Sequence, residues 1–261
     1  MLSRVIEACR AVGREEVMPR YLKVAHERKV DGSLLTEADV AAQHALARRL
    51  RAIAPYPVLG EEMTEVEQHD VWALGEDGFW CVDPIDGTSN FVNGLPFFAV
   101  SVALVRQRRS VLGVVYDPTA DEAFHATLGG GAFVNGERLP LKDPPPALAR
   151  CMAGIELKRI DRELAARLAR EHPFSSQRNL GASTLDWCYV AAGRLHIYLH
   201  GGQKLWDYAA GHLILREAGG VACTLDGGDF DAADPWCRSV LAAQTPALLE
   251  QWSAWVGRSR G

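Results

Sequence analysis

Apolar residues recur at helical spacing from Leu2 to Val12 and again from Glu37 to Ile53. The second stretch is rich in Ala and Leu and places Val40, His44, Leu46 and Leu50 near one face. Thr36 stands where a helix N-cap is needed. Between the two helices, Lys29-Val30-Asp31-Gly32-Ser33 reads as a mobile polar loop. Further on the pattern changes to short β-branched and aromatic runs bounded by turns, namely Phe79 to Val82, Phe97 to Val105, Val111 to Tyr116 and Glu122 to Thr127. These predict an antiparallel sheet. Gly129-Gly130-Gly131 followed by Asn135-Gly136 lacks the Gly-Lys-Ser/Thr of a phosphate loop and reads as a bulged hairpin.

Asp143-Pro144-Pro145-Pro146 is a stiff connector, because proline neither donates to a ladder nor continues a helix. It divides the chain into an α+β half, 1–142, and an α/β half, 143–261. In the second half, helical patterns over Arg162 to Glu171, Ser183 to Ala192 and Ala209 to Ala218 alternate with strand-like Leu195 to Leu199, Val221 to Leu225 and Ser239 to Ala243.

With 261 residues and 48% hydrophobic content, the chain can bury a substantial core. Its net charge of -5 argues against a general nucleic-acid binder, leaving small molecules as the expected partners. The six cysteines form no C-x-x-C pair and sit mostly among apolar neighbours, which suits buried thiols in a reducing compartment. Glu7 and Arg10 interrupt the first apolar run, so neither a signal peptide nor a membrane span is expected and the cytoplasm is the expected location.

The candidate chemistry lies in Phe79-Trp80-Cys81-Val82-Asp83-Pro84-Ile85-Asp86-Gly87-Thr88-Ser89-Asn90-Phe91, where an apolar strand delivers two carboxylates and a hydroxyl to a sharp turn. Asp-Pro and Asp-Gly also mark ordinary turns. The spacing does not fit an EF-hand loop. Nor does it fit the Asp-x-Asp-Gly-Thr motif of haloacid-dehalogenase phosphatases, since Pro84 and Ile85 both separate the aspartates. Hard cations such as Mg²⁺ take oxygen ligands, so the cluster suits metal-assisted phosphate chemistry. Glu61 after Pro57-Val58-Leu59-Gly60, Asp39 at a helix start, Asp207 in Trp206-Asp207, which opens a helix, and Lys29 could complete such a site, although each alone is weak evidence.

Taken in order, these elements resemble the inositol monophosphatase family of lithium-sensitive, Mg²⁺-dependent phosphatases. The signature W-x-[IV]-D-P-[IL]-D-G-T-x-N-[FY]-x-x-x-x-P is matched from Trp80 to Phe91 and at Pro96. The second signature is matched by Trp206-Asp207-Tyr208-Ala209-Ala210-Gly211 and Glu217-Ala218-Gly219-Gly220. The resemblance implies an α+β, layered αβαβα sugar-phosphatase fold, a homodimer, a small phosphorylated substrate, and hydrolysis by a metal-activated water. It further implies two or three Mg²⁺ ions. Glu61, Asp83, the Ile85 carbonyl and Thr88 would hold the first, Asp83, Asp86 and Asp207 the second, and Glu61 a weaker third. Asp39 and Thr88, with Glu61, would handle the water. Asp86, Gly87, Thr88, Ser183, His200 and Asp207 would face substrate, with Lys29 and its loop closing over it.

The chain departs from the family at His200, where inositol-cleaving relatives carry a glutamate seven residues before the Trp-Asp aspartate. An acceptor-only carboxylate is replaced by imidazole, with Gln203 and Lys204 nearby. The implied activity is therefore inositol-1-phosphate-like. A more anionic substrate (fructose-1,6-bisphosphate, adenosine bisphosphate or NADP) is the alternative, and a non-catalytic regulatory protein keeping the fold a more distant one.

Overall fold

Residues 1–23, 26–28 and 34–258 are described by a computed structural model; Lys29 and the polar loop around it lie outside the described residues. Helix α1 (Leu2–Val12) buries Val5, Ala8, Cys9 and Val12. The short strands β1 (His26–Arg28) and β2 (Leu34–Thr36) pair antiparallel. Thr36 then caps α2 (Glu37–Ile53): its side chain accepts from the Ala38 and Asp39 amides while the Asp39 carboxylate accepts from the Thr36 amide. The buried stripe of α2 is Ala38, Ala42, Ala45, Leu46 and Leu50. Val40 and His44, expected on that face, are exposed, because the small alanines let α2 lie close to the sheet on the opposite side of the helix.

Next come β3 (Val58–Gly60), α3 (Glu65–Ala73), β4 (Phe79–Asp86), α4 (Thr88–Asn93), β5 (Ala99–Arg106), β6 (Arg109–Asp117), β7 (Glu122–Thr127), β8 (Gly131–Val134) and β9 (Glu137–Arg138). Strands β3 to β9 form one sheet in sequence order, antiparallel except for the β3/β4 pair. All eight residues of β4 are buried, as in a strand covered on both faces. Trp80 and Val82 face the core with α1 and α2, and Phe79 and Cys81 face a second core shared with later helices.

The remaining elements are β10 (Met152–Ile155), α5 (Arg162–Glu171), β11 (Ser176–Arg178), α6 (Ser183–Ala192), β12 (Ile197–Gln203), α7 (Leu205–Glu217), β13 (Val221–Cys223), β14 (Arg238–Ala243) and α8 (Pro246–Gly257). The five strands among them form a mixed sheet in the order β11-β10-β12-β14-β13. Helices α6 and α7 fill the space between the two sheets, and α5 and α8 cover the far side of the second. The result is the layered αβαβα arrangement of an α+β fold. Helix α7 begins at Leu205, four residues before the periodicity signal at Ala209, because the Asp207 carboxylate accepts from the Lys204 amide at 2.8 Å and starts the helix there.

Two glycine positions fix how α7 sits. The turn at Gly129–Gly131 donates the Gly129 and Gly131 amides to the Glu217 carboxylate, each at 2.8 Å, so this glycine-rich hairpin binds the end of α7. A Cβ on Gly113 of β6 would stand 2.9 Å from the Ala210 carbonyl oxygen and 3.0 Å from its Cα. Backbone cannot yield as a flexible side chain does, so Gly113→Ala is expected to lower unfolding stability by about 1–3 kcal/mol, the usual cost of overpacking. A shift in denaturant midpoint at unchanged slope checks it. Of the six cysteines, Cys9, Cys81, Cys151 and Cys188 are buried, whereas Cys223 is half-buried and Cys237 exposed; all are free thiols.

Candidate active site

Strand β4 runs out of register with β5 between Asp83 and Asp86, so two successive carboxylates leave the ladder where the strand bends into α4. The Asp83 carboxylate accepts from the Ile85 amide at 3.1 Å, holding the bend. Gly87 follows with φ 90°, and a Cβ there would meet the Ala182 Cβ and the Phe97 carbonyl oxygen at 3.1 Å, so a side chain is excluded twice over. Asn90 pins the turn to the second half of the chain by donating to the Phe97 and Leu180 carbonyls at 2.7 Å.

Asp83, Asp86 and Asp207 each offer a carboxylate oxygen within 4.8 Å of the others. Asp83 and Asp86 are buried and Asp207 is half-buried at the start of α7. Burial pushes the Asp83 carboxyl well above the usual range, and Glu61, Asp86, Asp207 and Asp39 push it further. Asp86 is lifted to about 6, chiefly by burial, against the pull of hydrogen bonds from Thr184. Asp207 is raised by burial and then by Asp86 and Glu61, while the Lys204 amide and Arg159 act the other way. Among the described residues no lysine or arginine forms an ion pair with these three carboxylates.

Such a set is short of positive charge, and its donors are all oxygens. A hard cation fits it on both counts. Glu61, at the end of β3, is not in the 4.8 Å group but is the strongest charged neighbour of Asp83.

Asp39 and Thr88 are also brought together. One Asp39 oxygen accepts from the Thr36 amide and hydroxyl at 2.8 and 2.6 Å. The other lies 3.4 Å from the Thr88 hydroxyl, which is also 3.0 Å from the Ile85 carbonyl. Ser183 opens α6, next to the Thr184 that hydrogen-bonds Asp86.

His200 is 6% exposed, and its Nδ1 accepts from the Gly202 amide at 3.1 Å, leaving Nε2 as the donor of a neutral ring. Burial, and then Arg159 and Lys158, lower it to about 3. The approach is tight, since a Cβ on Gly201 would fall 1.6 Å from the Arg159 carbonyl oxygen.

Three neighbours of the candidate residues come from outside the sequence motifs. Thr184, fully buried, donates both its amide and its hydroxyl to Asp86 at 2.6 Å; the Ser183-Thr184 pair before an apolar run was the available signal. Arg159 and Lys158 reach His200 only through the pairing of β10 with β12, which no local pattern reveals.

Comparison with known proteins bears on the family and the fold. The chain is 38% identical over 245 residues to an inositol-1-monophosphatase of Mesorhizobium japonicum, covering 87% of this chain and 85% of that one. It is 34% identical over 259 residues to the Nus factor SuhB of Haemophilus influenzae, covering 96% and 93%. The solved IMPase of Thermotoga maritima superposes with a TM-score of 0.82 at 29% identity, covering 97% of this chain and 95% of that one. The family model for inositol monophosphatases matches residues 2–256, and the chain belongs to that family of phosphatases.

Proposed function

We propose that the chain hydrolyses a small phosphorylated polyol or sugar, inositol-1-phosphate-like, with Mg²⁺ held by Glu61, Asp83, the Ile85 carbonyl, Asp86, Thr88 and Asp207. The observation that carries this reading is the convergence of Asp83, Asp86 and Asp207 with, among the described residues, no cationic side chain paired to them. Two or three Mg²⁺ ions bound there would offset the carboxylate charge, lower the pKa of water and stabilise charge developing on the leaving oxygen.

The chain's own residues supply the rest. The Thr88 hydroxyl has one proton and two acceptors within reach. Donating that proton to Asp39 leaves the Thr88 oxygen able to accept from a water, so Asp39 and Thr88 orient the nucleophile and take up its proton. Thr36 fixes the Asp39 carboxylate through its second oxygen. Thr184 fixes Asp86 in the same way. The Gly87 and Thr88 amides bind the phosphoryl oxygens. Attack by water requires no phosphoenzyme and inverts configuration at phosphorus. The half comprising 1–142 carries most of these groups, and the half comprising 143–261 contributes Asp207 and the Ser183 and His200 contacts.

One observation favours a more anionic substrate as the second reading. The position of the inositol-binding glutamate is taken by a neutral His200 with a donor at Nε2, beside Arg159 and Lys158. This edge favours an additional phosphate over a bare hydroxyl. Relative phosphate release from inositol-1-phosphate, fructose-1,6-bisphosphate, adenosine bisphosphate and NADP separates the two. His200→Glu is expected to raise the preference for inositol-1-phosphate over a bisphosphate by about tenfold, a difference of about 1.4 kcal/mol. An unchanged ranking would remove His200 from substrate recognition.

A homodimer, a cytoplasmic location and inhibition by Li⁺ belong to the same reading. The six free thiols support a reducing compartment, and among the described residues no helix is long and apolar enough to cross a membrane.

A further inference from the structure

We propose that a basic cleft on the other face of α7 is a binding site for a phosphate-sized oxyanion, separate from the acidic centre. The cleft, about 40 Å³, lies between the β5–β6 turn, α7 and the segment leading into β14, and it is lined by Arg108, Arg109, Arg216, Arg238 and His212. Its one carboxylate, Asp231, is shared by Arg216 at 3.1 Å and His212 Nδ1 at 3.6 Å. Four arginines thus line a cleft that holds a single acid among its described residues.

Arg238 is the informative member. It is 6% exposed, with its guanidinium carbon 4.6 Å from the Tyr208 ring centre and 4.9 Å from that of Phe230. Its hydrogen bonds run to the backbone carbonyls of Ala233 and Asp234, and among the described residues no carboxylate pairs with it. Carbonyl dipoles and ring faces compensate a buried cation in part, and an anion in the adjoining cleft would complete the compensation.

The β5–β6 turn points the same way. Gln107 and Arg108 hold φ of 49° and 59°, a conformation that favours Asn or Gly in two-residue hairpins. The turn nonetheless carries an arginine, which lies 5.6 Å from the centre of Trp72, another cleft residue.

The cleft and the acidic centre are on different faces of one helix. At about 100° per residue, Leu205, Tyr208, Ala209, His212 and Arg216 share a face and Asp207 stands on the opposite one. One water needs about 10–15 Å³, so the volume takes a few water-sized groups and suits a tetrahedral oxyanion rather than a nucleoside. Guanidinium forks match phosphate oxygens in pairs, which makes phosphate the favoured ligand.

The test is calorimetric titration of the full chain, freed of metal by a chelator, with orthophosphate and with methyl phosphate at constant ionic strength. In that state the acidic centre repels phosphate, so saturable binding reports the cleft. Arg109 and Arg216 are exposed, and the double variant Arg109→Gln/Arg216→Gln is expected to fold and to bind at least about tenfold more weakly. Asp231→Asn, which removes the competing carboxylate, is expected to bind more tightly, a result that a purely structural role for the arginines would not give. Equal binding of both probes assigns the site to a phosphate head group, and binding of orthophosphate alone assigns it to the free ion. Absence of saturable binding, or equal affinity in the double variant, would overturn the proposal.

Discussion

Asp83→Asn is expected to lower phosphate release at least about 10³-fold while making the metal-free protein more stable at pH 8. The carboxylate lies between Glu61, Asp86, Asp207 and Asp39, buried and repelled by all four. Losing a carboxylate that would help hold Mg²⁺ removes binding and chemistry together, and three decades of rate correspond to about 4 kcal/mol. Without metal, the same charge is only a burden on the fold. An isosteric amide removes it and is expected to add on the order of 1 kcal/mol, raising Tm by about 2–4 °C in a chain of this size. Parallel thermal melts in chelator and activity assays in Mg²⁺ check both halves. A variant that lost activity through misfolding would instead melt earlier in chelator.

The second large effect is expected from Mg²⁺ itself, in a pH-dependent way. Asp86 titrates near 6 in the folded protein against an ordinary value of 3.8. A raised carboxyl stabilises the fold fully below its unfolded pKa, and this contribution is lost as the pH rises through the folded one. For Asp86 that window runs from about pH 4 to about pH 6, and burial shifts Asp83 and Asp207 in the same direction. Metal-free protein should therefore lose stability from this cluster as the pH climbs. A cation favours the ionised carboxylates, so the stabilisation given by Mg²⁺ should grow over the same range. At a hundred times its dissociation constant, one bound ion contributes about 2.7 kcal/mol. By the same scaling that is about 5–11 °C in Tm. Melts at pH 5 and pH 8, with and without Mg²⁺, read this directly, and a Mg²⁺ shift that is the same at both values would contradict it.

The features legible in the sequence are those written in local pattern. The bounds of α1, α2, α5 and α6 follow from periodicity and capping residues, and the first carboxylates follow from a strand ending in Asp83-Pro84-Ile85-Asp86-Gly87. Asp39 is legible as a candidate for the site, but its fixing by Thr36 through a reciprocal cap is a three-dimensional fact. The stripe through Val40 and His44 was misplaced because alanine, weakly hydrophobic, marks a buried helix face poorly even where it allows the closest packing. Periodicity marks α7 only from Ala209, while Trp206-Asp207 marks its opening turn, which the bond from the Lys204 amide to the Asp207 carboxylate holds.

Long-range partners were invisible for a different reason. Thr184 meets Asp86 across 98 residues, and Arg159 meets His200 through sheet pairing. The four arginines of the basic cleft come from a hairpin, a helix and the first residue of β14, and only the packing of α7 gathers them. Sequence motifs thus point to the acidic cluster, whereas the groups that contact its members come from elements distant in the chain.

Phosphate release from inositol-1-phosphate by chelator-treated protein, followed as Mg²⁺ is added back, tests the central claim most directly. The expected result is no turnover above background in chelator, saturable restoration by Mg²⁺, and no restoration in Asp83→Asn. Turnover that persists in chelator, or that Asp83→Asn retains, would contradict hydrolysis at the Asp83, Asp86 and Asp207 centre.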